Sequence, residues 1–243
     1  MATRISEIPA IQDFLDRGLI TEVLRVAKAG KEATVFCCRA GRSIDAELVA
    51  LKAYCDTGRR DFRDAAIYQQ GRAILDERSA RACRKKTRHG RKVAAGMWCG
   101  YEYETLRKLH DAGADVPRPL ASGPGAILME FVGDEEEAAP QLKGVRLDPE
   151  RARAAFLRVT HNIETFLSCN RVHADLSAFN ILYWQEGVKI IDFPQAVDPR
   201  SNRNAFQLLV RDIENVCGYF ARYGVSAPGL AGSLWSRFLR AEL

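Results

Sequence analysis

Apolar residues over 7–18 fall at helical spacing, with Ile8, Ile11, Phe14 and Leu15 on one face and Gly18 ending the segment. Beyond it the pattern changes to short runs of apolar and β-branched residues: Ile20 to Ala27, Ala33 to Arg39 and Leu48 to Tyr54. Turn signals at Gly30 and at Gly41-Arg42-Ser43 separate them, which predicts an antiparallel meander of three strands. Residues 56–96 lose the pattern. Phe62, Ile67, Tyr68, Ile74 and Leu75 are compatible with short helices, but the stretch has no continuous apolar face and reads as a flexible basic loop. A helix follows over 97–111, closed by Gly113 and by Val116-Pro117-Arg118-Pro119, which cannot continue it. Ala126 to Val132 reads as a further strand, and the acidic run Asp134 to Glu137 as the start of a loop.

The second half is patterned differently. Asp148 is a candidate N-cap with Pro149 at the first helical position, and Phe156, Val159, Ile163, Phe166 and Leu167 make a core-facing stripe. Two short strands, 181–184 and 188–191, flank a turn at Glu186-Gly187, and residues 204–223 and 233 onward read as helical. A strand-rich first half and a helix-rich second half define an α+β chain in two lobes. The expected division is 1–25 for the N-terminal helix and lead-in strand, 26–132 for a β-rich N-lobe containing the basic loop of about 56–96, and 133–243 for a reduced, helical C-lobe.

Composition changes this picture little. Hydrophobic residues make up 47% and charged residues 28% of the 243, an ordinary globular balance that excludes wholesale disorder. No apolar run is long enough for a membrane helix, and residues 1–7 lack the apolar core of a signal peptide, so a soluble cytoplasmic protein with no membrane partner is expected. The seven cysteines show no Cys-x-x-Cys spacing and read as reduced thiols. Charge is more informative. Eight cations and no acid lie between Arg78 and Lys92, so the net charge of +5 belongs to that segment and the remainder is net acidic. Such a segment could hold RNA phosphates through counterion release, although no aromatic residue interleaves it for base stacking.

The chemistry concentrates in Val172-His173-Ala174-Asp175-Leu176-Ser177-Ala178-Phe179-Asn180. An Asp and an Asn five apart, after a His two residues earlier, have the spacing of a protein-kinase catalytic loop. Asp192 follows twelve residues after Asn180, at the end of an apolar strand. Phosphoryl transfer uses this set: one carboxylate orients the attacking hydroxyl and accepts its proton, while an amide oxygen and a second carboxylate hold magnesium. Upstream, Val49-Ala50-Leu51-Lys52 matches the strand motif whose lysine pairs with phosphates and with a helix glutamate, for which Glu102 and Glu104 are candidates. Each piece alone is a common turn, cap or edge residue. Their order on matching elements is what carries weight.

Gly30-Lys31-Glu32-Ala33-Thr34-Val35-Phe36, the His173 to Asn180 segment and Ile190-Ile191-Asp192-Phe193-Pro194-Gln195 resemble the RIO family of atypical serine/threonine protein kinases, from about Phe14 to Tyr223. The resemblance implies a bilobal protein-kinase-like fold with a truncated helical C-lobe, binding Mg-ATP (with Mn2+ as an alternative cation) between the lobes. It implies Asp175 as the catalytic aspartate, Asn180 and Asp192 as metal ligands and Lys52 as the phosphate-binding lysine. Glu102 is preferred as the partner of Lys52, with Glu104 still open. Met129 would stand behind the adenine, the backbones of Glu130 and Val132 would bond it, and Gly30, Lys31, Glu32 and Ala33 would cover the phosphates. Ala178 departs from the acidic residue usual in the family. Members also lack the Ala-Pro-Glu segment and peptide-binding helices of ordinary kinases, which leaves the protein substrate unnamed. Besides a kinase or ATPase, the resemblance admits an ATP-dependent switch acting on an RNA or ribonucleoprotein partner through Arg78 to Lys92. A small-molecule kinase is a further alternative.

Overall fold

A computed structural model describes residues 8–30, 33–54 and 88–243, with side chains from 98 onward in the last stretch. Lys31, Glu32 and most of the expected basic loop therefore lie outside the described residues. The described parts form two compact units. One takes the chain up to 54, then 88–104 and 118–138, and the other takes 105–117 and 139–243.

In the first unit, helix α1 (Pro9–Asp16) precedes strands β1 (Ile20–Ala29), β2 (Ala33–Ala40) and β3 (Leu48–Tyr54). The three strands pair antiparallel in succession, as the turn-separated runs predict. Helix α2 (Arg88–Asp111) and strands β4 (Pro119–Gly123) and β5 (Ala126–Glu130) follow. The sheet order is β1-β2-β3-β5-β4. Ile11 and Phe14 of α1 are fully buried and pack with Ile20, Phe36, Cys38, Val49, Leu51, Ala53, Ala126 and Leu128 on one face of the sheet. Gly18, at φ 65°, turns the chain out of α1, and Gly41 lies so close that a Cβ there would stand 1.9 Å from the Gly18 carbonyl oxygen.

Two expectations need correction. Helix α2 starts at Arg88 and not at Met97, so residues 88–96 are helix where a loop was expected. Arg88, Arg91, Lys92, Ala94 and Ala95 of that segment favour helix while Gly90 and Gly96 oppose it, so without an apolar face the sequence gives no clear helical signal there. The expected boundary at 132/133 falls at 138/139, and residues 105–117 belong with the second unit. They are held there by polar contacts: the Asp115 backbone N–H donates to Asn162 Oδ1 at 2.6 Å, and the Asp115 carbonyl accepts the Ile190 N–H at 2.7 Å.

The second unit continues with α3 (Pro149–Ser168), the hairpin β6 (Ile181–Trp184) and β7 (Gly187–Ile190), α4 (Ala205–Phe220) and α5 (Leu230–Leu239). Asp148 caps α3 by accepting the Arg151 N–H at 2.8 Å, and the stripe from Phe156 to Leu167 is buried, both as the sequence predicts. Phe156 and Phe166 reach Phe220 and Phe193 in edge-on contacts at 5.5 and 5.4 Å. Among the described residues no helix is long and apolar enough to cross a membrane.

Candidate active site

Strand β3 is buried on both faces, and the period of two decides what each carries. Val49, Leu51 and Ala53 enter the core beneath α1, so Ala50, Lys52 and Tyr54 point to the other side. Cross-strand partners share that side: Lys52 stands opposite Val35 and Ile127, and Ala50 opposite Met129. There Lys52 Nζ donates to Glu102 Oε1 at 2.7 Å and to Oε2 at 2.9 Å. Glu102 is 1% exposed, so the pair is withdrawn from water. The Tyr54 hydroxyl donates to Glu102 Oε2, and the Lys52 ammonium lies 5.4 Å from the Tyr54 ring centre. Glu104 is exposed, so the geometry selects Glu102 from the two candidates.

The other expected nucleotide contacts of this unit sit on adjoining elements. Gly30 closes the β1–β2 connection by donating its N–H to the Ala33 carbonyl at 3.0 Å. A Cβ at position 30 would press on that same oxygen at 3.0 Å. Met129 is buried, and Glu130 ends β5 with its N–H given to the Arg118 carbonyl at 2.8 Å. Val132, two residues further on, is half-buried.

In the second unit, Asn180 Nδ2 donates to the Asp175 carbonyl at 2.8 Å and lies 3.3 Å from Asp175 Oδ2. The Asn180 carbonyl accepts the Ile191 N–H at 3.0 Å, which ties this loop to the segment entering Asp192. His173 reinforces the tie: Nε2 is 3.1 Å from the Ile191 carbonyl, and its ring packs on Phe193 at 4.7 Å. Phe193 is fully buried, while Asp192 between these anchors is exposed and held at φ 74°. A non-glycine residue in that left-handed region is strained and persists only where neighbours fix it. Asp175 keeps access to solvent, yet the protein around its carboxyl partly desolvates it and raises its pKa. The Asp192 carboxylate adds to that rise, whereas Arg211 and the Asn180 hydrogen bond oppose it. The two carboxylates are therefore close enough to feel each other.

The model of the RIO domain matches residues 34–230. The chain belongs to the RIO family. It is 33% identical over 220 residues to the RIO-type serine/threonine-protein kinase Rio1 of Haloferax volcanii, covering 90% of this chain and 70% of that one. It is 32% identical to human serine/threonine-protein kinase RIO1, covering 88% of this chain and 36% of the relative, so it spans about a third of that protein's length. Among solved structures, the Rio2 kinase–ADP/Mg2+–phosphoaspartate complex from Chaetomium thermophilum matches with a TM-score of 0.68 at 22% identity. That likeness covers 90% of this chain and 61% of the other. The fold is the bilobal α+β kinase-like fold that the sequence predicts.

The loop from His173 to Asn180 is held by residues that the sequence pattern does not single out. Helix α4 grips the peptide units on both sides of Asp175. Asp212 accepts the Ala174 N–H at 2.7 Å and the Leu176 N–H at 2.9 Å, Arg211 donates to the Ala174 carbonyl, and Asn215 donates to the Leu176 carbonyl at 3.1 Å. Ala174, held at φ 67°, is fixed by this clamp. The available signal was a charged residue on an apolar stripe: Asp212 occupies the helical face that Leu208, Leu209, Ile213 and Val216 bury.

Burial pushes the Asp212 carboxyl up to about 7, and the two backbone donors only partly offset it. A carboxylate whose folded pKa lies above its unfolded value contributes stability at low pH, and that contribution is lost as pH rises through the folded value. Denaturant unfolding of parent and Asp212→Asn should therefore show the parent losing stability relative to the variant between about pH 4 and pH 7. A difference that stays level across that range would mean Asp212 does not titrate there.

Proposed function

We propose that this RIO domain binds Mg-ATP and transfers or hydrolyses the γ-phosphoryl group, as an atypical serine/threonine kinase or ATPase. The observation that carries the reading is the buried Lys52–Glu102 pair, with Nζ 2.7 Å from Oε1. A buried carboxylate that orients a strand lysine is what kinase chemistry requires of a group that pairs with phosphates. Met129 and the backbones of Glu130 and Val132 would receive the adenine. The Glu130 N–H is already given to Arg118, so Glu130 would use its carbonyl. Gly30 and Ala33 would line the loop over the phosphates.

In the second unit Asp175 would orient the attacking oxygen and accept its proton. The donors fit magnesium: Asn180 spends its amide nitrogen on Asp175, which presents its side-chain oxygen for a cation, and Asp192 offers an exposed carboxylate. Both are hard oxygen ligands. A bound magnesium would neutralise charge on the phosphate oxygens.

The kinase and ATPase-switch versions differ in where the phosphoryl group goes. The Chaetomium thermophilum Rio2 structure is a phosphoaspartate complex, which favours an acyl phosphate as a second reading here, with Asp192 as the candidate acceptor. Carboxylates serve as phosphoryl acceptors in ATPases. The chain is to be incubated with magnesium and γ-labelled ATP, then treated with hydroxylamine and digested. Magnesium-dependent label is the expected result, and its absence together with absent phosphate release would sink the proposal. Label released by hydroxylamine from the Asp192 peptide identifies the switch, and label retained on Ser or Thr identifies the kinase. The RNA or ribonucleoprotein partner remains a reading of the Arg78 to Lys92 sequence, outside the described side chains.

A further inference from the structure

We propose that Tyr54 is a positioning residue for the Lys52–Glu102 pair, its hydroxyl holding Glu102 in place while Lys52 turns toward the phosphates of a nucleoside triphosphate. The inference rests on the ATP reading above and deepens it.

Glu102 is a carboxylate with almost no contact with water, so every donor it loses is costly. Lys52 serves both of its oxygens, at 2.7 and 2.9 Å, and Tyr54 serves Oε2 as well. A lysine that also binds phosphate must withdraw part of that service. The Tyr54 hydroxyl is then a donor that stays. It is neutral, so it neither repels the ammonium at 5.4 Å from its ring nor competes for the phosphate charge.

The fold places this hydroxyl without adjustable parts. Tyr54 lies two residues after Lys52 on one strand, so both side chains leave the same face. Its register partner is Ala33, which sets it at the sheet end that carries the Gly30 turn. Its own N–H donates to the Gly125 carbonyl at 2.8 Å, which pins the end of β3. The contact with Glu102 gives Tyr54 a role beyond packing at the strand end.

The test compares Mg-ATP dissociation constants, KM and kcat for parent, Tyr54→Phe, Glu102→Gln and the double variant. Phenylalanine keeps the ring and removes only the donor. Tyr54→Phe should weaken Mg-ATP binding about tenfold, with kcat changing less than about twofold, the size expected for one hydrogen bond to a charged acceptor. In the Glu102→Gln background the same change should add almost nothing, because no buried charge remains to be held. Unaltered ATP affinity in Tyr54→Phe, or an equal loss in both backgrounds, overturns the positioning role. So does a fall in kcat at constant KM that tracks the unfolded fraction, the mark of a merely structural residue. Failure of the parent itself to bind Mg-ATP would overturn the ATP reading, and the two failures are thereby distinct.

Discussion

Asp175→Asn should lower ATP turnover by about a thousandfold, the scale of losing a positioned general base, while leaving Mg-ATP bound. The substitution is nearly isosteric and does not touch the 2.8 Å bond from Asn180 to the residue-175 carbonyl, nor the Asp212 bonds to the flanking N–H groups. Loop geometry is therefore retained. Removing the carboxylate weakens the local pull on magnesium but also lessens the negative charge facing the anionic Mg-ATP complex, so the two effects oppose and binding should stay close to the parent's. Single-turnover kinetics beside calorimetric nucleotide titration separate the two effects. Turnover at the parental rate would take Asp175 out of the chemistry, and lost binding with slow turnover would recast it as a metal ligand.

Lys52→Met should cost both function and fold. Glu102 would be left as a buried charge with its ammonium gone, and breaking such a pair from one side costs about 3–5 kcal/mol. The Tyr54 hydroxyl still donates to Oε2, which places the expected loss toward the lower end. Adding Glu102→Gln removes the stranded charge and should recover most of the stability without restoring ATP turnover. Urea unfolding of the single and double variants, alongside phosphate-release assays, checks this. If the single variant is as stable as the double, the pair is not buried as described. If the double variant turns over ATP at the parental rate, Lys52 has no part in binding phosphate.

The sequence makes legible those elements whose chemistry is local. The His173 to Asn180 loop and the Lys52–Glu102 pair show through because residue types and spacing along short stretches suffice, and α1 and β1–β3 show because apolar and β-branched runs are broken by clear turn signals. Where position depends on distant contacts, the sequence is quieter. Strand β4 goes unread because Pro119-Leu120-Ala121-Ser122-Gly123 has neither alternation nor β-branched residues, and it exists by pairing with β5. The start of α2 does not show in the sequence because residues 88–96 have no continuous apolar face and include Gly90 and Gly96. The Asp212 clamp spans 36 and 38 residues of sequence, and only a charge on a buried stripe hints at it.

The two-faced burial of β3 also bears on which length changes this gene can survive. Deleting one codon between Val49 and Leu51 while β3 keeps its pairing would rotate Lys52 to the α1 side, away from Glu102, and carry a core residue into its place. Deleting two codons from residues 49–51 would preserve the face but move Lys52 along the strand by about 7 Å, past its partner. The same single codon removed from residues 41–47, the connection between β2 and β3, can be absorbed by loop. Natural length variation in this domain should therefore gather in that connection, and the few residues before Lys52 should be almost free of it.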